Sequence, residues 1–222
     1  MILRRCLALA GAVWLAALPA GAQPIQETRG APAGAFDFYV LALSWSPGFC
    51  ETTGSPRRRR QCEDGSGLGF VVHGLWPQNE RGYPSFCEPA GRFPPRAAIE
   101  EASDLFPDDN LARYQWRKHG TCTGESPSGY FRAVRRAREL VTIPDVFKSV
   151  DAASKVMPTE IERAFMAANP GLRPDMIAVS CGRRILQEVR ICLNRDLRGF
   201  RQCPEVDRNG CRASDVAVPA IR

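Results

Sequence analysis

Histidine is almost absent from this chain: its 222 residues carry only His73 and His119. Imidazole is the side chain whose ordinary charge change falls near neutral pH, so acid–base chemistry built on it has two candidates here and no others. There is no C-x-x-C pair, which argues against a zinc ribbon and against a thioredoxin-like redox site. No Ser-His-Asp series and no phosphate-cradling glycine loop can be picked out, and no cluster has metal-ligand spacing. No internal repeat divides the chain. No apolar run is long enough for a comfortable membrane span.

What is present points to an exported protein with one domain. A length of 222 residues suits a single sizeable core. With 44% hydrophobic and 24% charged residues, the balance is that of a soluble globular chain. Arg4 and Arg5, an apolar stretch over residues 6–18 and Ala20-Gly21-Ala22 read together as a secretory signal peptide cut after Ala22. The expected organisation is therefore a signal over residues 1–22, a flexible Gly/Pro/Ala-rich lead-in over 23–35 and a domain over 36–222. The mature protein is expected in the periplasm or outside the cell, as a monomer. Of nine cysteines, Cys6 leaves with the signal, and the even number that remains predicts four disulfides. An oxidising compartment also argues against a cysteine nucleophile. The formal charge is +6, and 6 − 2 = +4 once Arg4 and Arg5 are removed, since residues 1–22 hold no acid. That modest excess favours polyanions, nucleic acid among them, without specifying one. The densest basic run, Arg57-Arg58-Arg59-Arg60, reads as a solvated loop.

Residues 36–45 alternate two faces that are both largely apolar, as in a central strand, and Pro47 and Gly48 end it. A polar loop follows, which a Cys50–Cys62 bridge would close. Residues 69–75 form a second strand with His73 near its end. Helices are expected over residues 96–105, stopped by Pro107; from a cap at Asp108 or Asp109 to about Lys118; and over 128–140. Pro158-Thr159-x-x-Glu162 reads as a capping-box start for a helix running to about Ala168. Residues 176–180 and 185–193 read as closing strands. Strands and helices are segregated, which predicts an α+β fold: a central antiparallel sheet with helices on one side, stapled by disulfides.

Each histidine sits in a dense motif: F-V-V-H-G-L-W-P-Q around His73 and Y-Q-W-R-K-H-G-T-C around His119. On a helix Gln115 and His119 share a face, and Lys118 flanks it. Two imidazoles and an ammonium suit cleavage of a phosphodiester without a metal or cofactor. One imidazole takes a proton from an internal nucleophile, the other protonates the leaving oxygen, and the cation offsets charge on the transition state. In RNA the 2′-hydroxyl is that nucleophile, already held in place by the ribose. DNA lacks it and should not be cut. Trp76 is a candidate for stacking a base, worth about 1–3 kcal/mol with little sequence preference; its bland alternative is core packing.

At these residues the chain resembles the ribonuclease T2 family of secreted, acid-type endoribonucleases. His73-Gly74-Leu75-Trp76-Pro77 is similar to the family's first active-site segment and Trp116-x-Lys118-His119-Gly120-Thr121-Cys122 to its second, the two histidines lying 119 − 73 = 46 positions apart. The resemblance implies an α+β fold and two steps, transesterification to a 2′,3′-cyclic phosphate and hydrolysis to a 3′-phosphate. His119 would be the base of the first step, His73 its acid, and Lys118 the stabiliser of the transition state. It also implies the pairs Cys50–Cys62, Cys87–Cys122, Cys181–Cys211 and Cys192–Cys203, which makes Cys122 structural. Two positions depart from the family pattern: Gln115 stands where Glu is usual, and Tyr114 where His is common. An amide can donate to a phosphate oxygen but cannot raise the pKa of His119 by charge attraction. Activity with an altered rate or pH optimum is expected. The alternative is a weakened member that binds RNA or another polyanion. Gln78, Tyr83 and Phe86 lie close in sequence without an assigned role.

Overall fold

A computed structural model describes residues 26–53, 60–87 and 93–222. The expected signal peptide and Arg57, Arg58 and Arg59 lie outside the described residues. The strands are β1 (Glu27–Arg29), β2 (Phe38–Trp45), β3 (Phe70–Gln78), β4 (Tyr83–Ser85), β5 (Ser154–Val156), β6 (Ile177–Gly182), β7 (Ile185–Leu193) and β8 (Val216–Val218). The helices are α1 (Ser46–Thr52), α2 (Arg96–Glu100), α3 (Asp109–Lys118), α4 (Pro127–Glu139), α5 (Pro158–Ala168) and α6 (Pro204–Arg208). Among the described residues no helix is long and apolar enough to cross a membrane.

β2 is buried along its whole length, which is why both of its faces are apolar. It pairs antiparallel with β3 on one edge and with β7 on the other, and β6 pairs antiparallel with β7. β8 meets β7 through a single parallel register pair, Ile185 with Ala217, and carries β5. The sheet is therefore mixed, antiparallel except at that contact.

One face holds most of the core. Leu41, Leu43 and Trp45 of β2 pack there with Val72, Leu75, Val189 and Ile191, covered by Ile99 of α2, Phe131 and Val134 of α4, and Ile161 and Phe165 of α5. The opposite face carries a smaller cluster of Phe38, Val40, Ala178 and Cys192, which Cys203 and Val206 of α6 cover. The helices are thus not all on one side, because the Cys192–Cys203 bridge holds α6 over the second face. Four disulfides staple the domain: Cys50–Cys62, Cys87–Cys122, Cys181–Cys211 and Cys192–Cys203, the pairs that the resemblance implies.

Local signals set several boundaries. Asp108, not Asp109, caps α3, its Oδ1 accepting from Leu111 N at 2.9 Å. The helix expected over residues 96–105 is regular only to Glu100. At α5 it is Glu160 that reaches back to the N-cap, accepting from Met157 N at 2.9 Å. Glu162 instead accepts from Val179 N at 3.2 Å, tying α5 to β6. The described part of the expected lead-in is anchored rather than free. β1 pairs in parallel with β4, Gly30 N donates to Ser85 O at 2.9 Å, and Gly34 N donates to Cys122 O at 2.8 Å.

Candidate active site

His73 and Trp76 are three residues apart, a spacing that puts side chains on opposite faces of a regular strand. Both nevertheless line one cleft of about 410 Å³. The β2–β3 register explains this. Ala42 pairs with Gly74 and Leu43 with Val72, so His73 is an extra residue without a partner. This bulge shifts the alternation by one. Val72 and Leu75 keep to the core face, and His73 joins Trp76 on the cleft face.

The second histidine comes from the end of α3, beside the outer strand β3. Ala112 and Trp116 of this helix enter the core, while Gln115, Lys118 and His119 line the cleft. His119 is the C-cap residue, its N–H still bonded to Gln115 O at 2.9 Å. The turn after it is pinned: Phe86 N donates to Lys118 O at 2.8 Å, Cys87 N to Thr121 Oγ1 at 3.1 Å, and Cys87 is bridged to Cys122.

The motif glycines are there for close approach. A Cβ on Gly74 would lie 2.1 Å from Gln115 Oε1 and 2.5 Å from Trp76 Nε1. A Cβ on Gly120 would lie 2.4 Å from the Trp116 ring and 2.9 Å from the Tyr130 ring. Tyr130 in turn donates to Leu75 O at 3.1 Å, locking α4 to β3 behind the site.

Trp76 contacts both histidines. Its ring is 5.3 Å from His73, edge on, and 5.3 Å from His119, stacked at 25°. Its indole N–H donates to Gln115 Oε1 at 2.9 Å, which leaves the amide N–H₂ as the end of Gln115 that could meet a substrate. Burial, then the charge of Lys118, then that of His73 hold His119 well below the usual 6.5. It is therefore neutral into the acid range and competent to accept a proton. Its Nδ1 is buried without a hydrogen-bond partner. Tyr83 borders both groups, 6.4 Å from the His119 ring and 5.7 Å from Lys118 Nζ. Gln78 and Tyr114 also line the cleft. Phe86 points elsewhere in its contacts, packing against Arg29.

Two residues of the site went unread in the sequence. Glu188 of β7 bonds His73 Nδ1 through one carboxylate oxygen. Its other oxygen accepts from Arg190 Nε at 2.9 Å and Nη2 at 2.8 Å. Burial alone would push this carboxyl up, but hydrogen bonds and charge from His73 and Arg190 outweigh it and lower the pKa from 4.5 to about 2. Glu188 is thus an anion that can only accept, so His73 Nδ1 carries the proton and Nε2 is the end left for chemistry. Arg190 also lies 5.4 Å from the Trp76 ring centre. The available signal was a pair of charges at alternate positions, Glu188-Val189-Arg190, in a strand otherwise apolar except for Gln187. Charges seldom enter such a strand unless paired or functional.

A cleft with two imidazoles, one ammonium and a donor amide can move a proton in, move a proton out and stabilise an anion between them. Comparison with known proteins agrees with that chemistry. A sequence model of the Ribonuclease T2 family matches residues 36–203. The chain is 40% identical over 169 residues to a ribonuclease of Aeromonas hydrophila, covering 74% of each. It is 25% identical to ribonuclease DdI of Dictyostelium discoideum over 82% of this chain and 84% of that one. The fold is similar to that of an RNase-related protein from Calystegia sepium, with a TM-score of 0.65 at 22% identity, over 84% of this chain and 98% of the other. The chain belongs to the ribonuclease T2 family, a family of endoribonucleases.

Proposed function

We propose that this ribonuclease cleaves single-stranded RNA without a metal ion and with little base preference. Transesterification to a 2′,3′-cyclic phosphate comes first and hydrolysis to a 3′-phosphate second. The meeting of His73 and His119 on one indole, with Lys118 beside them, carries the reading. In the first step neutral His119 takes the 2′-hydroxyl proton, the 2′-oxygen bonds to phosphorus, and His73 Nε2–H protonates the departing 5′-oxygen. In the second step water replaces that alcohol and the two histidines exchange roles. Lys118 and the Gln115 amide N–H₂ face the charge that grows on the phosphoryl oxygens. Trp76 offers its face to a base, and DNA, lacking the 2′-hydroxyl, is not a substrate. Export after removal of residues 1–22, and action as a monomer, belong to the same proposal.

Digestion of yeast RNA with and without EDTA, followed by product analysis, tests it. Cyclic phosphates that accumulate equally in both reactions support the mechanism; cleavage abolished by EDTA refutes it. Gln115 favours a second reading, a weakened member that binds polyanions. RNA bound tightly yet left intact at every pH would establish that one instead.

A further inference from the structure

We propose that Glu188 is a positioning residue of this enzyme: it clamps His73 by Nδ1 so that Nε2 alone faces the scissile phosphate, and Arg190 holds the clamp in place. The inference rests on the acid role of His73 given above and names what makes that role possible.

The geometry supports the clamp from several sides. His73 is the extra residue of a bulge, so no ladder partner fixes its backbone as its neighbours' are fixed. Its side chain is part-exposed and needs an external anchor to keep one orientation. Glu188 supplies that anchor from a different strand, beyond β2, where Ser44 is the register partner of Glu188. One carboxylate oxygen serves His73 and the other serves Arg190 twice, so the carboxylate cannot swing away without breaking three bonds. The remaining charged groups around it are Lys118 and His119, which share the main cleft, and Asp108, which lines a smaller hollow with Glu188 and His73. None of these is within hydrogen-bond distance of Glu188 among the described residues, so the His73–Glu188–Arg190 chain is self-contained.

The clamp has a consequence for proton flow. Throughout the cycle the Nδ1 proton stays on its bond to Glu188. When the bond from phosphorus to the 5′-oxygen breaks, the proton that leaves His73 comes from Nε2 and ends on the 5′-oxygen. In the second step Nε2 takes a proton from water. A ring freed from Glu188 can turn or change tautomer and offer the wrong nitrogen.

The test uses two substrates that differ in their need for a general acid. Uridylyl-3′,5′-adenosine leaves as an alcohol and needs a proton; uridine 3′-(4-nitrophenyl phosphate) leaves as a stable phenolate and does not. Glu188→Ala should lower kcat on the first by about 10- to 100-fold, the range for a displaced catalytic group, with KM little changed. The second substrate should be cut at close to the wild-type rate. Glu188→Gln, which still accepts from Nδ1–H, should recover part of the loss. In a His73→Ala background Glu188→Ala should cost nothing further. Equal losses on both substrates, or a loss that adds to that of His73→Ala, would overturn the positioning role. A His73→Ala enzyme equally slow on both substrates would instead overturn the acid role of His73 itself. With only two histidines in the chain, ¹⁵N-histidine spectra give an independent reading. At a pH where His73 is neutral, wild type should hold it as the Nδ1–H tautomer, Glu188→Ala should lose that preference, and an unchanged tautomer would overturn the clamp even where rates fall for reasons of stability.

Discussion

Gln115→Glu is the substitution that probes the electrostatics of the site most directly. Gln115 is 1% exposed and one helical turn before His119, with its oxygen on the Trp76 indole. Side chains at this spacing lie about 5–6 Å apart at Cβ. A carboxylate there would attract the imidazolium by roughly 2.8 kcal/mol at an effective dielectric constant of about 20, equivalent to roughly 2 pK units. Part of that attraction is spent on burying the new charge, which the Trp76 N–H and Lys118 offset in turn. The expected net effect is a rise of about 1–2 units in the pKa of His119. The sign follows from its present state. His119 is held below 6.5, so with His119 as the proposed base the wild-type rate should persist into acid until that base is protonated. Raising that pKa moves the acid limb of the kcat/KM profile to higher pH, so the variant loses activity at acid pH where wild type still works. The assay is a pH–rate profile on a dinucleoside phosphate, with thermal unfolding at each pH to show that the variant is folded. An acid limb that stays in place, or moves to lower pH, would refute the charge argument.

Other perturbations follow from the same geometry. Glu188→Gln should flatten acid unfolding. The folded carboxyl titrates at about 2 against a usual 4.5, so its stabilisation is present above 4.5 and is lost as pH falls towards 2, with a ceiling of roughly 3 kcal/mol; denaturant titrations at pH 6 and pH 3 measure the difference. Gly74→Ala drives a methyl into Gln115 Oε1 and Trp76 Nε1. It should cost about 1–3 kcal/mol in stability and lower kcat, and an unchanged kcat would mean that the Trp76–Gln115 contact does not matter. Replacing Cys87 and Cys122 together by Ser opens a bridge of sequence separation 35. The loop-entropy estimate is about 4 kcal/mol, measured by urea unfolding, and activity should fall before global unfolding because this bridge pins the turn after His119.

Much of the fold was legible because its signals are local. The two-faced apolar pattern of residues 36–45 announced a buried central strand, and β2 is buried throughout. The range 185–193 matches β7 residue for residue. Misreadings occurred where a distant partner decides. Nothing near residue 105 says that α2 stops at Glu100. At α5, by contrast, a local signal was available: Pro158 at the first helical position puts the N-cap at Met157 and makes Glu160, not Glu162, the residue that reaches back to it. The apolar cover on the second sheet face is supplied by α6 through a disulfide, a contact between segments far apart in sequence from β2. Glu188 was missed for the same reason. The alternate charges of Glu188 and Arg190 mark the strand as unusual, but their partner is fixed only by a bulged histidine on the strand two places across the sheet.

The two histidines turn out to be supported unequally, and that asymmetry bears on mechanism. His73 has a buried anion on Nδ1 and, through it, a guanidinium. The Nδ1 of His119 has no partner, and its neighbour one turn back is an amide. An acid must hold its proton in the right place until the leaving oxygen needs it, which an anchored ring does well. A base must be neutral when substrate arrives, and a buried ring beside an ammonium and without a carboxylate is kept neutral. A carboxylate on both histidines would slow this division of labour by charging the base too early in acid. On the proposed roles, Gln115 and Glu188 form a matched pair: the site has its anion, and the anion sits with the residue proposed as the acid of the first step.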